Sequence, residues 1–75
     1  MKAFALISLK SCDEKDVIDK LVELPEIQNA YVLFGEWDII AEINVENPEE
    51  LGTFMMEKIR IMPEIKLSST LIVAK

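Results

Sequence analysis

Fourteen carboxylates and one compact turn, Gly35-Glu36-Trp37-Asp38, are the parts of this 75-residue chain with the most obvious chemical reach. General acid/base catalysis needs two carboxyls held across a cleft with their pKa values pushed apart. Nothing in the spacing of these acids demands such a pair, because most fall at helix starts or on solvated helix faces. The chain has no histidine, which excludes histidine-dependent nucleophilic catalysis, and its single cysteine, Cys12, leaves no thiol or imidazole cluster to hold zinc. Cys12 sits beside an expected helix start, where amide groups lower a thiol pKa, but without a base partner it reads as a small residue in a turn. Gly35 and Gly52 are the only glycines, and neither belongs to a phosphate-cradling motif. The methionines Met55, Met56 and Met62, with Phe54, read as adaptable core and not as a soft-metal or hydrophobic-ligand site. These residues predict a protein that is not an enzyme, with no catalytic residue, no metal and no cofactor.

The turn remains. Turn chemistry alone accounts for it: Gly35 bends the chain, Glu36 is solvated, Trp37 covers an edge, and Asp38 caps the hairpin with its side chain. A ligand role requires elements that bring other polar groups to it.

Those elements follow from periodicity. Ala3 to Leu9 is apolar on both faces of a two-residue alternation, with Phe4 and Leu6 on one side and Ala5, Ile7 and Leu9 on the other, as in a central strand covered twice. Ser11 and Glu14 have capping-box spacing, and Val17, Ile18, Leu21 and Val22 form a helical stripe that Pro25 stops. Strands are expected from Ile27 to Phe34 and from Trp37 to Val45, joined by Gly35-Glu36 as a tight type II′ hairpin. Asn47-Pro48-Glu49-Glu50 opens a second helix with the stripe Leu51, Phe54, Met55, Ile59 and Met62, and Ile65 to Val73 is the last strand. Leu24-Pro25-Glu26-Ile27 and Met62-Pro63-Glu64-Ile65 each stand between a helix and a strand, so the chain reads as two βαβ units in one domain, 1–75. The pattern predicts an α+β, ferredoxin-like βαββαβ fold with two helices on one face of a four-stranded antiparallel sheet. A five-stranded or domain-swapped variant satisfies the same pattern.

With helices on one side only, the other face meets water or another subunit. Alternation directs Ile39, Ala41, Ile43 and Val45, and likewise Ile65, Leu67, Leu71 and Val73, toward the helices. It leaves Asp38, Ile40, Glu42 and Asn44, and Lys66, Ser68, Thr70 and Ile72, on the far face. Phe4 and Leu6 make that face greasy, so a sheet-against-sheet dimer is expected, with Asp38, Ser68 and Thr70 near its rim offering hydrogen bonds to a small ligand. Eight scattered Lys and Arg against the fourteen acids give a net charge of −6, which repels a phosphate backbone and predicts no direct nucleic-acid contact. No run approaches the roughly 20 apolar residues that cross a bilayer, and Lys10 breaks the apolar start before it reaches signal-peptide length. A cytoplasmic location fits the lone cysteine.

The order of elements, the Leu24-Pro25-Glu26-Ile27 step, the Gly35-Glu36-Trp37-Asp38 hairpin and the ending Met62-Pro63-Glu64-Ile65 to Ser68-x-Thr70 resemble the effector-binding (RAM) domain of the Lrp/AsnC family. The resemblance covers the whole chain, which opens directly at the first strand and so looks like a stand-alone form without the helix-turn-helix. It implies dimerisation through the sheets, assembly of dimers into octamers or decamers, mixed assembly with full-length relatives, and an amino acid or related effector bound between dimers. Carried over by position, it implicates Gly35, Glu36, Trp37 and Asp38 around the ligand and Ser68 and Thr70 as hydroxyl donors, with Ser68 in place of a common threonine and Trp37 in place of tyrosine or phenylalanine. In that arrangement the backbone at Gly35 holds a carboxylate, and Asp38 or Glu36 meets an ammonium. The expected role is to sense a small amino-acid-like effector and modulate transcriptional or metabolic regulation. The alternative is an interaction module that oligomerises without a ligand.

Overall fold

Strand β1 (Lys2–Leu9) buries every second residue, Ala3, Ala5, Ile7 and Leu9, and lies in the middle of the structure because it can hydrogen-bond on both sides. The computed structural model describes residues 1–11 and 13–75, so the reading of Cys12 lies outside the described residues. Around β1 run α1 (Glu14–Val22), β2 (Ile27–Val32), β3 (Ile39–Asn44), α2 (Pro48–Phe54) continuing into a π-helical turn (Met55–Ile59), and β4 (Ile65–Ile72). The four strands form one antiparallel sheet in the order β2-β3-β1-β4, the expected ferredoxin-like arrangement.

Register sorts the side chains into rows. Beneath the helices, Val32, Ile39, Ile7 and Ser68 make one row; Ala30, Ala41, Ala5 and Thr70 the next; Ile27, Ile43, Ala3 and Ile72 the third. The middle row is small, which lets the helices approach the sheet closely while Val17, Leu21 and Ile59 fill the space above with Ile7, Ile39 and Ile43. Each of those large side chains is fully buried and contributes about 1.5–3 kcal/mol.

The two helix starts differ. Asn47 caps α2 as expected, its Oδ1 accepting the Glu50 N–H at 2.8 Å while the Glu50 carboxylate accepts the Glu46 N–H at 3.0 Å. The capping box of Ser11 and Glu14 is not formed. Asp13 takes the cap position without a side-chain cap bond, so Glu14 is the first helical residue instead of the third, and Ser11 lies outside the helix with its hydroxyl donating to Asp13 Oδ2 at 2.5 Å. In the α1 stripe, Val17 and Leu21 are buried, Ile18 half-buried and Val22 exposed.

The internal repeat is real in the backbone. Leu24 N–H donates to Leu21 O and Ile27 N–H to Leu24 O, and Met62 N–H to Ile59 O and Ile65 N–H to Met62 O repeat the same two turns after the second helix. Each unit then has a bulge one residue later, at Gln28 in β2 and at Lys66 in β4. The second bulge corrects the expected faces of the last strand. Ile65 points to the helices as predicted, but the extra residue reverses the alternation after it, so Ser68, Thr70 and Ile72 lie on the helix side and Leu67, Ser69 and Leu71 on the far face.

Lys20 on α1 pairs with Glu64, tying the first helix to the start of β4. That hydrogen bond, helped by the Glu64 backbone, holds the Glu64 carboxyl below the usual carboxylate range. A group whose folded pKa is depressed stabilises the fold above its unfolded pKa and loses that contribution as pH falls through the folded value. Lys20→Met is therefore less stable than wild type at neutral pH in urea unfolding, and the two curves converge on acidification below pH ~4; a pH-independent difference counts against the pair. Asn47→Ala lowers stability by about 1 kcal/mol in the same assay.

Candidate functional site

The connection between β2 and β3 is not a two-residue hairpin. β2 ends at Val32 and β3 begins at Ile39, leaving a six-residue loop, 33–38, closed by Leu33 N–H donating to Asp38 O at 2.8 Å. The strands stop early because Asp38 is drawn to β1. Its N–H donates to Ile7 O at 2.9 Å, and its Oδ2 accepts the Leu9 N–H at 2.7 Å, satisfying an amide that no strand neighbour reaches. Asp38 thus caps the end of β1 and not the hairpin tip. Gly35 adopts φ +143°, a backbone state that side-chain-bearing residues rarely adopt, although nothing lies within 4 Å of where its Cβ would be. The glycine is required by the bend and not by a close neighbour. Phe34 beside it is fully exposed, Glu36 is exposed and Trp37 half-buried.

Ser68 and Thr70 lie elsewhere. β4 is the edge strand opposite β2, and Ser68 faces Ile7, which in turn faces Ile39, so two strand spacings, about 10 Å, separate the serine from the first residue of β3. The hydroxyl pair also lies on the helix side of the sheet. Thr70 lines a groove of about 360 Å³ between α2 and β4, together with Leu51, Met55, Met56, Arg60 and Ile72. Ser68 lines an adjoining hollow of about 310 Å³ with Arg60, Ile65, Lys66 and Leu67. The six predicted residues therefore form two groups in one copy, the loop Gly35, Glu36, Trp37 and Asp38 at one place and Ser68 and Thr70 at another.

Two residues of the groove depart from the sequence expectations: Arg60 is not singled out there, and Met56 is weighed as part of a hydrophobic-ligand site and read as core. Arg60 lines both hollows and makes no ion pair among the described residues, and Met56, expected in the core, is 64% exposed at the groove wall. The π-helical turn explains both. Arg60 N–H donates to Met55 O, a wide turn spanning one residue more than an α-helix, which keeps Met55 and Ile59 buried while Met56 and Arg60 line the β4 side.

Asp38 has a structural duty that any ligand role must coexist with. Asp38→Ala strands the Leu9 amide and is expected to cost about 1–3 kcal/mol in denaturant unfolding, whereas Asp38→Asn keeps an acceptor and most of the stability. Equal stability of Asp38→Ala and wild type would show that the Leu9 contact is dispensable.

A model of the Lrp/AsnC ligand binding domain family matches residues 2–75. The chain is 35% identical over 75 residues, all of its length, to the HTH-type transcriptional regulator FL11 of Pyrococcus abyssi, of which it covers 49%. It thus spans about half the length of the curated relatives it matches. The crystal structure of FFRP-DM1 superposes with a TM-score of 0.91 at 40% identity, covering 96% of each chain. Escherichia coli AsnC superposes with a TM-score of 0.93 at 31% identity, covering 99% of this chain and 50% of that one. The shared fold and the match along the whole chain place it plainly: it belongs to the Lrp/AsnC family and has the fold of that family's ligand-binding domain.

Proposed function

We propose that this chain is an oligomeric effector-binding module, not an enzyme, which senses a small amino-acid-like molecule and passes the signal on through its state of assembly. The observation that carries the reading is the far face of the sheet. Tyr31, Ile40 and Leu6 stand in one row and Phe4 beside Leu71 in the next, with Leu67 completing an apolar surface that the helices do not cover. Tyr31, Leu67 and Leu71 are each at least half exposed. A surface of this kind is sealed by a second copy placed sheet to sheet.

Assembly also bears on the candidate site. Within one copy the Gly35 loop and the Ser68–Thr70 pair are apart, so a site using both takes the loop from one copy and the groove from another. A ligand held by both shifts the assembly by its differential affinity for the joined state. With the Asp38 carboxylate engaged by Leu9, Glu36 is the loop acid that meets an ammonium. The net charge of −6 suits a module that regulates transcription or metabolism through partner regulators instead of touching DNA itself. The alternative, an interaction module without a ligand, is favoured by one observation: the Asp38 side chain is already explained by its bond to Leu9.

Sedimentation at micromolar concentration is expected to give a multiple of the single-chain mass, Leu6→Glu a smaller species, and titration calorimetry across the common amino acids heat with at least one of them. A folded monomer overturns the assembly; an oligomer silent to every amino acid selects the ligand-free alternative.

A further inference from the structure

The groove between α2 and β4 carries a charge pattern that narrows what enters it. The chain has eight basic residues against fourteen acidic ones, yet the linings of the two adjoining hollows contain two cations, Arg60 and Lys66, and no carboxylate. The ion pairs among the described residues are Lys2 with Glu42, Lys15 with Asp19 and Lys20 with Glu64, so neither groove cation is matched by an acid of its own chain. Arg60 lines both hollows, with the Thr70 hydroxyl in one and the Ser68 hydroxyl in the other. Away from this cluster the lining is Pro48, Leu51, Gly52, Met55, Met56 and Ile72, without a charged side chain and with methionines that adapt to irregular shapes.

Resting on the reading of an amino-acid-like effector, we propose that this groove binds a small carboxylic acid with an apolar side chain, its carboxylate on Arg60 with a hydrogen bond from Thr70, and its side chain against Leu51, Met55, Met56 and Ile72. A guanidinium presents two parallel N–H donors to a carboxylate, which suits Arg60 to the head group. With the head group on Arg60 and the side chain directed along the groove, an acidic side chain would lie among apolar residues without a partner, since Lys66 lines only the adjoining hollow, and a basic one would find no carboxylate there. The groove offers no acid to an ammonium, so within it an apolar amino acid and its 2-oxo acid are recognised by the same chemistry.

The test is titration calorimetry of the intact protein with leucine, methionine, the 2-oxo acid of leucine, glutamate and lysine, repeated for Arg60→Gln, Arg60→Lys and Met56→Glu. Arg60 and Met56 are exposed, so the fold survives each change, as circular dichroism can verify. Saturable binding of the apolar acids, weakened about tenfold or more by Arg60→Gln, less by Arg60→Lys, and by Met56→Glu through charge placed at the apolar wall, supports the site. Equal affinity for leucine and its 2-oxo acid identifies the groove as the whole recognition element, and preference for leucine adds the ammonium contact from a neighbouring loop; both support the carboxylate site. Binding of glutamate or lysine alone, or apolar binding unchanged in Arg60→Gln, overturns the proposal while leaving amino-acid sensing in place. Silence toward all five overturns this proposal, and the wider reading falls only if the remaining amino acids are silent too.

Discussion

Every other feature of this fold depends on β1 being paired along both edges, to β3 on one side and β4 on the other. Because that strand alternates without interruption, it sets two faces at once: Ala3, Ala5 and Ile7 under the helices and Phe4, Leu6 and Ser8 away from them. The neighbours inherit this phase through the ladder, and the helices then cover whatever faces them. Asp38 extends the same constraint past the end of β3. By bonding to Ile7 O and Leu9 N–H it replaces a missing strand residue, and the loop that holds Glu36 and Trp37 is anchored to the central strand as well as closed on itself by Leu33 N–H.

The two βαβ units share more than their order of elements. Each helix leaves through the same pair of turns around a proline, and each following strand has its extra residue at the same place, Gln28 and Lys66. In β2 the bulge has little chemical consequence. In β4 it turns Ser68 and Thr70 inward, toward α2, and Leu67 and Leu71 outward, toward the apolar face. One inserted residue thus separates two surfaces: a sheet face suited to another copy and a groove with hydroxyls and an arginine.

The π-helical turn complements this from the other side. α2 needs Leu51, Phe54, Met55 and Ile59 buried, and the wide turn meets that demand while Met56 and Arg60 stay at the wall of the groove. Ion pairs contribute little to the architecture; they lie on the surface, where solvent screens them, and the one with a visible effect, Lys20 with Glu64, joins α1 to the entry of β4. The core itself is apolar and mostly aliphatic, with Phe54 its one aromatic ring and no buried polar or charged residue among those described.

Periodicity of two in β1 and β3, helical spacing from Val17 to Leu21 and from Leu51 to Ile59, and the paired proline steps were legible along the chain, because each is a local pattern that burial enforces residue by residue. They were enough for the βαββαβ order, the sheet and its helix layer, and the residues of the turn and last strand pointed to the family. The facing of β4, the six-residue loop in place of a tight hairpin, and the separation of Ser68 and Thr70 from Gly35 to Asp38 were decided only in three dimensions. A bulge leaves the composition of a strand unchanged while reversing its faces, and the bond from Leu9 N–H to Asp38 spans 29 residues of sequence. Local alternation has no access to either, since both arise from which strand lies beside which.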